Sequence, residues 1–213
     1  MAILPELQAA IEALHDVRTD VDVCTFLVDD QTRAAIPGGR AGLPEQLFVQ
    51  EDQDGVALGL YIDPGVLSRL ERDHPERRLH DGNLESYCIA LEGISHFVFL
   101  IWRASIGRPV TRLELEIQAE ADKSVSAWLL LDRQGQPRHQ TAEPLLDRLF
   151  EAYELREEVA HDEVDRYHTA TRVALRYCRG LTRRFARDSD TSRVEQSARE
   201  FFRQGLAEKL RAA

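Results

Sequence analysis

Lysine is almost missing from this chain. Of its 27 basic side chains 25 are arginine, and only Lys123 and Lys209 carry an ammonium, a skew that points to a GC-rich, bacterial coding sequence. Cysteine is scarce too. Cys24, Cys88 and Cys178 are far apart, odd in number and without C-x-x-C spacing, which excludes a disulfide scaffold or zinc knuckle and fits buried, reduced thiols. With 12 glycines among 213 residues a collagen-like chain is excluded. The longest unbroken apolar run, Phe97 to Trp102, falls far short of the about 20 residues of a spanning helix, so no membrane segment is expected. The first residues, Met1-Ala2-Ile3-Leu4-Pro5-Glu6, lack the basic and long apolar regions of a secretory signal, and a cytoplasmic location is the expectation. Nucleotide-binding glycine loops, H-E-x-x-H and G-x-S-x-G are absent, which removes the usual anchors of nucleotide, dinucleotide and common hydrolase chemistry.

What is present is a globular composition, 43% apolar and 30% charged, in a chain long enough to bury its own core. Leu4, Leu7, Ile11 and Leu14 recur at helical spacing behind Pro5, so residues 4–17 read as an amphipathic helix. The β-branched and aromatic run 21–28 reads as a strand. Leu47-Phe48-Val49 and the run 56–62 flank Asp52-Gln53-Asp54-Gly55, the best hairpin signal in the chain. Asp63-Pro64 opens a short helix. From residue 81 the pattern is helical: a segment 84–103 apolar on nearly every side, a capping-box start at Thr111 running to Leu131, and a second such box at Ser192 opening a last helix through Leu210. The reading is an α+β, predominantly helical chain: one unit, 1–213, with a mixed part at 1–80 holding a small antiparallel sheet of about three strands, and a helical bundle with one long helix at 81–213.

The long helix carries the strongest pattern. Ala160, Val164, Tyr167, Thr171, Ala174, Cys178, Leu181 and Phe185 alternate in steps of four and three, a seam that demands a helical partner. One continuous helix over about 143–186 follows, about 65 Å long at 1.5 Å per residue. Its opposite face is acidic at Asp147, Glu151, Glu154, Glu158, Asp162 and Asp165, then basic at Arg172, Arg176, Arg179, Arg183 and Arg187. The net charge of −10 divides accordingly: residues 166–213 hold 12 basic and 5 acidic groups, net +7, and the remaining chain is net −17. That acidic body disfavours nucleic acid.

Two functions suit these features. The first is a non-catalytic intracellular interaction or assembly protein without a cofactor, using the charge-graded helix to meet an acidic partner surface or a second copy of itself as a homo-oligomer. The alternative is a helix-bundle metalloprotein, hydrolytic or redox. Glu92 and His96 stand at i and i+4 on an otherwise apolar helix, and Glu116 and Glu120 repeat that spacing on the next one. Paired in a bundle, these four side chains could converge on a divalent transition metal. Asp81, Glu85 and Arg103 share the first helix's polar face and suit its ends.

Overall fold

The computed structural model describes every residue except 1, 2, 53, 54, 152–160, 189 and 213. Helix α1 (Ile3–His15) buries the Leu4, Leu7, Ile11 and Leu14 stripe as its spacing predicts. The run expected to form a strand at 21–28 does not. Asp22 caps Cys24 with its carboxylate at 2.9 Å and closes a 3-10 turn, Val23–Phe26, leaving a single bridge from Leu27 to Leu60 as the remnant of a third strand. A short helix not expected from the sequence, α2 (Asp30–Ala35), follows; Asp29 accepts the Thr32 amide at its start.

The sheet is therefore one hairpin, β1 (Glu45–Asp52) and β2 (Gly55–Ile62), paired antiparallel with Glu45 opposite Ile62. Residues two apart on a strand share a face. Glu45, Leu47, Leu60 and Ile62 thus lie on one face, against the helical layer. Helix α3 (Pro64–Arg72) starts at the Asp63 cap and leads to α4 (Asp81–Ser105), the core element, with Ala90, Leu91, Ile94, Phe97, Val98 and Phe99 wholly buried. By length and composition α4 could cross a membrane, but most of its apolar stretch is buried inside the bundle.

Helix α5 (Arg112–Arg133) begins with the expected capping box: the Glu114 amide donates to Thr111 Oγ1 at 3.2 Å and the Thr111 amide to Glu114 Oε2 at 3.0 Å. Helix α6 (Arg138–Leu146) and a π-helical turn (Asp147–Glu151) precede α7 (His161–Phe185). Continuity of the long helix through 152–160 lies outside the described residues. The seam has its partner inside the chain: α7 packs along α5, burying Ala170, Val173, Ala174, Tyr177, Cys178 and Leu181. The buried part of the seam is consequently not a free face for a second copy.

The last helix is broken in two, α8 (Ser192–Arg203) and α9 (Leu206–Ala212). The box at Ser192 is not formed, because the Ser192 hydroxyl bonds Asp190 at 2.6 Å and Thr191 occupies the cap. Gln204-Gly205 interrupts the helix, and beyond it Lys209 points into the core and Leu210 outward. One apolar cluster runs from Ile3 through the hairpin and all the long helices to Phe202.

Candidate metal centre

A helical carboxylate at i and a histidine at i+4 point the same way. On α4 this puts Glu92 and His96 toward α5, where Glu116 meets them. Ligand atoms of Glu92, His96 and Glu116 lie within 4.8 Å of one another. Donors that share one ion at about 2.0–2.2 Å are at most about 4.4 Å apart, so small rotamer adjustments close the set around a metal. His96 is 6% exposed. Its Nε2 faces Glu116 Oε2 at 3.6 Å, an ion-pair distance beyond hydrogen-bond reach, and this buried nitrogen makes no hydrogen bond.

The fourth group is one the sequence reading missed. Glu45, at the first position of β1, faces His96 Nδ1 with Oε1 at 3.6 Å. It gets there because α4 carries Gly93 at the crossing: a Cβ on that residue would stand 2.9 Å from Glu45 Cγ and 3.1 Å from Leu60 Cδ1. A carboxylate behind the far nitrogen of a ligating imidazole fixes its orientation and tautomer, and Glu45 stands in that position. Residues 45 and 47 share strand parity, but the apolar run Leu47-Phe48-Val49 does not say which face is inward.

Glu120 is brought to the edge of the group without joining the ligand set. It pairs with Lys123, whose Nζ lies 2.8 Å from Glu120 Oε1 and 2.8 Å from Glu92 Oε2. Lys123 also escaped the sequence reading, although 116, 120 and 123 form one helical stripe. Arg166 on α7 approaches Glu116 Oε1 with Nε at 3.8 Å and lies over the Tyr167 ring at 5.1 Å; nothing in the sequence links α7 to this site. Glu92 and His96 thus both reach partners on other elements, Lys123 for the first and Glu45 and Glu116 for the second.

The electrostatics follow from burial among charges. Burial opposes charge on His96, but Glu116 and Glu45 on either side outweigh it and hold the imidazole well above the usual histidine range. A metal ion bound at Nε2 would take the place of that proton, and its uptake would release it. Burial likewise opposes the Lys123 charge, and Glu120 and Glu92 outweigh it. Burial raises the Glu45 carboxyl. It pushes the nearby Cys88 thiol up to about 12, an unreactive packing cysteine. The Tyr167 hydroxyl is raised by burial and then by Glu116 and Glu92.

The other polar residues of the α4 face do not converge. Asp81 and Glu85 are exposed, and Arg103 is buried at the opposite end, 2.6 Å from Glu114. A separate buried network surrounds Asp122, which accepts from Ser95 at 2.6 Å, Gln118 at 2.8 Å and His15 Nε2 at 2.8 Å. Lys209 donates to Gln118 Oε1. The aspartate sits between serine and histidine, so the Ser95 hydroxyl meets Asp122 rather than the imidazole, and the network ties α1, α4, α5 and α9 together. A cleft of about 380 Å³ between the start of α4 and α6, lined by Arg78, His80, Asp81, Gln140 and Arg148, contains none of the metal-site residues.

On α7, Arg172, Arg176 and Arg183, and Arg187 just beyond it, are exposed, and Arg179 is half-buried. Of the acidic stripe, Asp147 and Asp165 are exposed, while Glu154 and Glu158 and the side chains of Glu151 and Asp162 lie outside the described set. No protein-family model, curated protein or solved structure matches the chain.

Proposed function

We propose that this chain is a helix-bundle metalloprotein in which Glu92, His96 and Glu116 bind one divalent transition-metal ion and Glu45 orients His96. The observation that carries the reading is the buried His96 Nε2, which makes no hydrogen bond, in a group with Glu92 and Glu116 whose ligand atoms lie within 4.8 Å of one another; a buried polar atom left without a hydrogen bond costs about 1–3 kcal/mol. One imidazole with two carboxylates suits zinc, iron or manganese. Three protein ligands leave coordination positions for water or substrate, and the Glu92 side chain, 26% exposed, gives that side access to solvent. Activation of a bound water for hydrolysis is the chemistry this arrangement supports best. Titration with cobalt(II) tests it: the wild type gains visible ligand-field bands that saturate at one equivalent, and His96→Gln gains none while keeping its helical circular dichroism. Absence of bands in the wild type would contradict the proposal.

A second reading concerns α7. Among the described residues Arg172, Arg176, Arg183 and Arg187 have no ion-pair partner, which favours a docking face for an acidic surface, and the acidic body of a second copy offers one. Light scattering at tens of micromolar should then report self-association that salt weakens and that Arg172→Glu with Arg176→Glu removes. A salt-insensitive monomer would defeat this reading.

A further inference from the structure

We infer that the Lys123 ammonium occupies the place of a second metal ion, so that this carboxylate cluster is a two-cation site in which one cation is supplied by the chain. The inference rests on the metal-binding reading of Glu92, His96 and Glu116. In a two-metal site the ions stand about 3.5–4 Å apart and share a bridging carboxylate. Glu92 has that bridging position: it belongs to the ligand triad, and its Oε2 is 2.8 Å from Lys123 Nζ, which is also 2.8 Å from Glu120 Oε1. Glu120 therefore faces the ammonium as Glu116 faces the metal position. Charge gives the same division. With Glu45, Glu92, Glu116 and Glu120 ionised and the His96 proton displaced by the metal, Lys123 and Arg166 return two of the four negative charges, and the remaining two equal one divalent ion.

Composition supports a specific demand at this position. In a chain that uses arginine at 25 of 27 basic positions, both lysines are buried, Lys123 at 8% exposure and Lys209 at 0%. An ammonium is a compact point charge, whereas a guanidinium is a broad planar fork that would reach across into the ligand triad. The ammonium cannot exchange with solvent cations, so it fixes the stoichiometry at one ion and leaves Glu120 unable to ligate.

Manganese(II) binding followed by electron paramagnetic resonance separates the two claims. The wild type should take up one manganese per chain and give an isolated six-line spectrum even with the ion in excess. Lys123→Met, which keeps the stem and removes the charge, should take up two, with the six-line signal replaced by a broadened, exchange-coupled one. Adding Glu120→Gln to that variant should restore a single ion. Two coupled ions in the wild type, or one ion in Lys123→Met, would overturn the inference while leaving the metal reading intact. A wild type that binds none would remove both. Lys123→Gln serves as a second variant should the methionine fold poorly, and the wild-type spectrum is decisive independently of either.

Discussion

Burying an ammonium away from carboxylates costs several kcal/mol in lost hydration, and such groups respond by giving up their proton. Lys209 is held that way. It is enclosed by the Phe99 and Phe201 rings at 4.6 and 4.7 Å and by Gln118, and burial lowers it from 10.5 to about 7, with Asp122 pulling the other way. The unfolded chain then binds more protons between those two values, so this residue makes stability rise with pH from about 7 to 10.5 and level out below. Lys209→Met should be more stable than the wild type at pH 7 by about 1–4 kcal/mol, the range for exchanging buried charge for apolar volume, with the gap closing by pH 10. Urea midpoints across that range check it, and parallel profiles would refute it. The sequence marks this lysine by its rarity and by its place seven residues after Phe202, but Leu206 and Leu210 read as the apolar positions of that helix.

Elements were more legible than single contacts. Capping chemistry at Asp63 and Thr111, the turn residues around Gly55 and the stripe of α1 are local, and each predicted its element. The third strand failed because Asp22 offered the backbone a turn in place of a ladder, and the box at Ser192 failed because Asp190 competes for its hydroxyl. Half the candidate site was visible as two i, i+4 pairs on adjacent helices. The rest needed the crossing of the hairpin over α4 and of α7 over α5, which no spacing encodes. That first crossing predicts an effect of Gly93→Ala. Alanine favours the helix by about 1 kcal/mol, while the close contact with Glu45 and Leu60 costs about 1–3 kcal/mol, so stability falls by about 0–2 kcal/mol. Metal affinity should nonetheless fall about 10-fold or more, as it does when the residue orienting a ligating histidine is displaced. Calorimetric metal titration alongside urea unfolding distinguishes the two, and unchanged affinity would mean that Glu45 does not position His96.

At the scale of the molecule, the seam and the charge gradient have separate roles. The seam is consumed by α5 within the chain, which leaves the arginine face exposed, while the carboxylates of α5 meet α4. A bundle that draws ligands from α4 and α5 and an orienting residue from β1 should be stabilised by the ion it binds. Saturation at 100 times the dissociation constant adds about 2.7 kcal/mol, or about 5–10 °C in melting temperature for a chain of this size. The most direct test of the central claim is the metal content of tag-free chain, dialysed against a mixture of zinc, iron(II) and manganese salts and measured by elemental analysis beside His96→Gln. One transition-metal ion per wild-type chain, lost in the variant, is the predicted result; content well below one ion in the wild type, or equal content in both, would contradict the account.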